Sequence, residues 1–253
     1  MENKMGTKPI PGLILGMSLP VIFSMLVQAL YNVVDSIFVS RVGEDAIASV
    51  SLAFPIQMLV VAAFVGLSTG VSSNVSRKLG AKEEEAAAQI ADHGVFLAAI
   101  LYVIVALVGL GLSMFFFEGF TKNQNIITGA SQYTRIVMLF SFGIIFSHSA
   151  TGILQGTGDM VKPMFAQLLG ALTNIALDPI FIFGYFGLPA MGVRGAAIAT
   201  VIAQIISMIF VWIVLKHGKS VIKPRIREFK YDGHIISQIL VVGVPTAIMQ
   251  GLG

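Results

Sequence analysis

Asp35 and Asp178 are the acidic residues, of thirteen in the chain, that sit clearly inside long apolar stretches. A carboxylate at such a place costs several kcal/mol, so it is a functional candidate by default. Asp35 stands six positions before the outer end of its stretch, and Asp178 about eight before the end of its own. At the helical rise both lie about 9–12 Å below the same surface. Two acids at one level can share a cation or a proton. Asn174 is one turn before Asp178 and faces the same way. Pro179 removes a backbone donor and frees the carbonyl of Ile175 as a further ligand or a kink point. Thr200, about eight residues into the next stretch, reaches a similar depth. Gln28, Tyr31, Asn32 and Asp35 fall at i, i+3, i+4 and i+7, on one helical face. Carboxylates, an amide and a hydroxyl make an all-oxygen set suited to Na⁺ or to a proton. The competing reading is that such groups glue helices together by hydrogen bonds. Amides and hydroxyls do that without the cost of a charge, so the aspartates argue for more.

The elements that position these residues follow from composition. Of 253 residues, 56% are hydrophobic and 11% charged, and the mean hydropathy is +0.87. Ordinary soluble domains carry about 25% charged residues. The chain is therefore read as an all-α polytopic transmembrane bundle, its apolar runs being far longer than barrel strands. Spans are expected at 13–40, 47–73, 94–117, 131–155, 163–186 and 192–215, with a seventh opening near Ile235 and cut off at Gly253. The connector from Arg77 to His93 has an Ala-Glu-rich middle that predicts a short amphipathic interfacial helix. Lys216–His234 is the most basic connector. All but four of the sixteen Lys and Arg residues (Arg41, Lys122, Arg135 and Arg194 are the exceptions) fall at the N-terminus and in the second, fourth and sixth connectors. By the positive-inside rule the N-terminus and the basic linker are cytoplasmic. The small net charge of +3 is orientation, not nucleic-acid binding.

Other motifs fail as catalytic sites. Gly66-Leu67-Ser68-Thr69-Gly70 fits G-x-S-x-G but lies in an apolar helix, where the pair Gly66/Gly70 reads as close helix packing. Gly218-Lys219-Ser220 ends like a P-loop, yet position 213 is Ile where Gly is required. The four His, at 93, 148, 217 and 234, have no zinc spacing. His148 reads as a packing histidine. Absent cysteines exclude disulfides and thiolate chemistry. Gly156-Thr157-Gly158-Asp159 matches the G-x-G-D of intramembrane aspartyl proteases, but Asp159 falls in a cytoplasmic turn, far from the level of Asp35. An enzyme is not expected, nor any cofactor.

Several segments together resemble one family. They are Gln28 to Val39 with Gly43 and Ala48 to Pro55, then Ser76-Arg77-Lys78-Leu79-Gly80-Ala81-Lys82, then Leu154 to Asp159, then Asn174 to Phe181, and Gly192 to Thr200. The pattern is similar to the multidrug and toxic compound extrusion (MATE) transporters and runs over nearly the whole chain. The resemblance implies a twelve-helix protein of two six-helix lobes, exporting drugs and organic cations in exchange for Na⁺ or H⁺. It puts a cation site on Asp35, Asn174, Asp178 and Thr200. It also implies a plasma-membrane location and antiport.

On that reading residues 1–215 are the N-terminal lobe, 216–234 a cytoplasmic linker, and 235–253 the start of a second lobe whose remainder is missing. Setting Pro245 on Pro20 matches Ile239-Leu240 with Ile14-Leu15, as a parallel repeat would. Gln28, Tyr31 and Asn32 are expected at the substrate cavity, with Pro20 and Pro179 as kinks. A lipid-linked saccharide flippase is the alternative, and the protease a remote one.

Overall fold

The computed structural model describes residues 10–218, 221–224 and 229–252. Lys4, Lys8, Lys219, Arg225 and Arg227, and the Ser220 of the P-loop look-alike, lie outside them. Every element among the described residues is helical: α1 (Ile10–Ser40), α2 (Glu44–Gly80), α3 (Glu84–Glu118), α4 (Gln124–Leu139), α5 (Phe142–Gly156), α6 (Val161–Phe183), α7 (Val193–His217) and α8 (Gly233–Leu252), with one 3₁₀ turn at Tyr185–Gly187. Six of these are long and apolar enough to cross a membrane, and the bent pair α4–α5 can supply a seventh span. The chain is a multi-pass helical membrane protein.

Two expectations are corrected here. The segment from Arg77 to His93 holds no separate interfacial helix. α2 runs on to Gly80 and α3 starts at Glu84, leaving a three-residue turn. Ala and Glu are strong helix formers, so they extend the neighbouring spans instead of starting a new element. Lys82 adopts a positive φ of 63° in that turn, and Lys78 pairs with Glu83 across it at 2.5 Å. The fourth span is not one helix over 131–155. It begins at Gln124, capped by the Asn123 side chain accepting from the Asn125 N–H, and bends by 45° between Leu139 and Phe142. Arg135, assigned from sequence to the outer boundary, lies well inside α4. It shares an exposed face with Gln124 and Thr128, a polar stripe at helical spacing.

Helix contacts define two ends. At one, the Asp45 carboxylate accepts from the side-chain amides of Asn123 (3.0 Å) and Asn125 (3.1 Å), and Gly192 faces Val42. At the other, the Ser76 hydroxyl donates to the Gly156 carbonyl at 3.0 Å, and Lys162 approaches Gly218. The basic connectors gather at this second end, called inner below. An inner apolar core forms from Val71, Val75, Ile90, Ile153, Leu154 and Leu215, and an outer one from Val39, Ala53, Phe117, Ile127 and Ile182.

Glycines set the closest approaches. A Cβ at Gly66 would stand 2.5 Å from the Gly243 carbonyl oxygen, and one at Gly70 would stand 2.4 Å from that of Ile239. The Gly66/Gly70 pair is therefore the groove that receives α8. Asn74 completes the seam by donating to the Gln238 carbonyl at 3.0 Å. α8 thus docks on α2, and its Ile235 and Ile239 belong to the inner core.

Candidate functional site

α1 lies mainly against α6, and this contact brings the two aspartates together. The Asp35 and Asp178 carboxyl groups are within hydrogen-bonding reach of each other. Each stands five residues before the last residue of its helix, at Ser40 and Phe183. Asp178 is fully buried, and Asn174 and Thr200 are 1% and 6% exposed. The Asn174 amide ties the group together. Its Nδ2 donates to Asp178 Oδ2 at 2.8 Å, and its oxygen accepts from the Thr200 hydroxyl (3.3 Å) and backbone N–H (3.2 Å). The opposite amide orientation would set acceptor against acceptor, so the network assigns this one. All four residues expected at the site are brought to one place.

Two tyrosines and a glutamine enlarge it. The hydroxyls of Tyr31 on α1 and Tyr133 on α4 both lie near Thr200, and that of Tyr133 also lies near Gln57 on α2. Tyr133 and Gln57 are additions to the set expected from sequence. With the fourth span starting at 131, Tyr133 falls at the membrane edge. With α4 starting at Gln124 it lies about 13 Å inside, level with Thr200. The helix start was the missing signal.

One atom of the acidic pair is unsatisfied. Asp35 Oδ1 is buried and has no hydrogen-bond partner among the described residues. Buried polar atoms are nearly always paired, and an exception asks for an explanation such as an ion or a proton. Two carboxyl groups in contact need a proton between them, or a cation once that proton leaves. The donors around them are all oxygens or amides, which fits Na⁺ as well as H⁺.

A cavity of about 310 Å³ opens below this cluster toward the inner end, with Tyr31, Asn174 and Thr200 at its outer limit. Gln28, Gln155, Gln167 and Gln204 line it, and among the described residues no Asp, Glu, Lys or Arg does. Gln28 accepts from the Gln167 side chain at 3.0 Å, a second polar link between α1 and α6. Asn32 departs from expectation. It is exposed, lies outside the cavity wall, and accepts from Gln28 at 3.2 Å. One face of α1 is wider than the strip that α6 covers, so i+4 from Gln28 falls at its edge. His148 packs as expected, with its ring 4.3 Å from Phe64, and it also borders the cavity.

The helices stay unbroken at both prolines, Pro20 in α1 and Pro179 in α6. The Ser24 hydroxyl bonds back to the Pro20 carbonyl at 2.9 Å. Asp159 sits in the inner turn, where Gly158 has a φ of 83°. Its Oδ1 accepts from the Lys162 N–H and its Oδ2 pairs with Lys162 Nζ at 2.7 Å. It closes a turn at the opposite end from the Asp35–Asp178 pair.

The fold and site define a polytopic helical membrane protein with a buried acidic pair beside a neutral cavity. Residues 20–180 match the MatE family model, and the chain belongs to the MatE family. It is similar to the probable multidrug resistance protein YoeA of Bacillus subtilis, 30% identical over 90% of this chain and 50% of that protein. It is also similar to the FAD transporter of Shewanella oneidensis, 26% identical over 82% of this chain and 46% of that one. A solved MOP superfamily transporter from Pyrococcus furiosus superposes with a TM-score of 0.88 at 34% identity, over 94% of this chain and 52% of that one. The chain thus spans about half the length of the relatives it matches.

Proposed function

We propose that this chain is the first lobe of a secondary active exporter of drugs and organic cations, driven by antiport with Na⁺ or H⁺. Residues 1–215 form the lobe, 216–234 a cytoplasmic linker and 235–253 the opening of the second lobe. The protein lies in the cell inner (plasma) membrane with its N-terminus cytoplasmic. Asp35, Asn174, Asp178 and Thr200 hold the coupling cation, and Tyr31 and Gln28 border the drug cavity. No cofactor takes part.

The observation that carries this reading is the contact of Asp35 with Asp178, with Asp35 Oδ1 left unsatisfied. Cation entry neutralises the pair. With the charge gone, α1 is free to bend near Pro20, where the Gly16 carbonyl lacks its helical donor. Movement of α1 changes the cavity, because Gln28 and Tyr31 are part of its wall. Drug and cation then disfavour one another, which is the coupling antiport needs. The naming of YoeA as a multidrug resistance protein supports export of foreign compounds. A flippase for anionic lipid-linked saccharides needs a basic cavity, and no Lys or Arg among the described residues lines this one. A protease of the G-x-G-D kind needs the Asp159 of that motif paired with a second aspartate at its own depth, and Asp35 and Asp178 lie at the other end.

The test uses the full-length protein in proteoliposomes under imposed Na⁺ or H⁺ gradients, with ethidium as the probe. Asp35→Asn and Asp178→Asn each abolish gradient-driven transport. Unchanged transport in both variants overturns the site.

A further inference from the structure

His93, near the inner end of α3, is 1% exposed and has both ring nitrogens engaged. Nδ1 meets the Gln89 carbonyl, one turn earlier, at 2.8 Å. Nε2 accepts the backbone N–H of Asp232 at 2.9 Å. A carbonyl only accepts and a backbone N–H only donates, so these partners hold the ring as the neutral Nδ1–H tautomer. Phe229 packs on the ring at 4.9 Å between centroids and stacks on Phe96 at 5.0 Å. Asp232 has a second task. Its Oδ1 accepts from the His234 N–H at 2.8 Å, and its carbonyl accepts from Ile236. It caps α8, so one residue joins the histidine on α3 to the first turn of α8.

We infer that His93 is a proton-released latch that pins residues 229–232, just before α8, to α3. A protonated imidazole carries N–H on both nitrogens. Its Nε2–H would then face the Asp232 N–H, donor against donor, and the bond must open. A groove of about 770 Å³ borders the ring and gives a proton its route. The charged and titratable groups along it are Glu85 and Asp92 on α3, and Lys230, Tyr231 and Asp232 just before α8. His234 follows on α8. Loss of the Nε2 lone pair removes the acceptor of the Asp232 N–H. Acid on this side therefore frees the cap of α8 from α3. The latch does not rest on the cation site proposed above.

A nitroxide label on Lys230→Cys is read by electron paramagnetic resonance in the full-length protein, with any cysteine outside residues 1–253 replaced by serine, since these residues hold none. With His93 present, the line shape is broad at pH 8 and narrows at pH 5. His93→Gln keeps an acceptor that does not titrate, so its label stays broad at both. His93→Phe keeps an aromatic ring without the acceptor, so its label is narrow at both. A second label at Thr128→Cys, on exposed α4, stays unchanged throughout. The latch is overturned if the native spectrum ignores pH, if His93→Phe stays broad, or if His93→Gln narrows on acidification. A change at position 128 alongside that at 230 also overturns it, since the protein is then unfolding.

Discussion

Asp35 of α1 and Asp178 of α6 meet carboxyl to carboxyl, each five residues from the end of its helix, with Asn174 donating to Asp178 at 2.8 Å. The two helices are 120 residues apart in sequence but neighbours in the bundle. Groups in contact share one function, so their removal is not additive. Cation binding to the purified full-length protein, followed by isothermal calorimetry, is lost in Asp35→Asn. Adding Asp178→Asn then changes little. Two independent losses would mean that the carboxyls act separately.

Tyr133→Phe removes a hydroxyl that lies near Thr200 and Gln57 and leaves the ring in the outer core. One hydrogen bond to a neutral group is worth about 1 kcal/mol. The apparent cation affinity falls roughly five- to tenfold in a transport titration, while the protein level in the membrane holds. An unaltered titration would take Tyr133 out of the site.

Gly70→Val tests the seam between α2 and α8. A Cβ there meets the Ile239 backbone oxygen at 2.4 Å, and backbone cannot swing aside as a long side chain can. Overpacking of this kind costs roughly 1–3 kcal/mol. The unfolding temperature in detergent drops by several degrees. Gly111→Ala is the control, because nothing lies within 4 Å of its Cβ. Equal melting of the two variants would deny the seam its role.

Asp159→Ala opens the inner turn without touching the acidic pair. Its ion pair with Lys162 is partly exposed and screened, so the loss is about 1 kcal/mol or less, including the helix-start hydrogen bond. Transport by the full-length protein persists at near-native rate. Abolished transport would place Asp159 in the mechanism.

The class of the molecule and the depth of its acids were legible along the chain, because both depend on local quantities. Apolar run length reports a membrane span whatever the neighbours do, and helical rise converts Asp35 and Asp178 into comparable depths. The Gly66/Gly70 pair announced a close contact in the same way. Its partner, α8, was not readable, since a small-residue groove accepts any smooth helix. Tyr133 was lost to a boundary, because Gln124 to Ala130 looks like a polar connector until it is seen packed against α2.

Sequence alone thus settled an all-helical membrane bundle with two aspartates inside its long apolar runs, since runs of that length and so few charges suit lipid and not water. Tertiary structure decided that those aspartates touch, that Asn32 turns away from the cavity, and that His93 grips the cap of α8. Such contacts depend on which helix faces come together. Rotation of a helix about its axis by one residue, about 100°, leaves its apolar run intact and undoes every one of them.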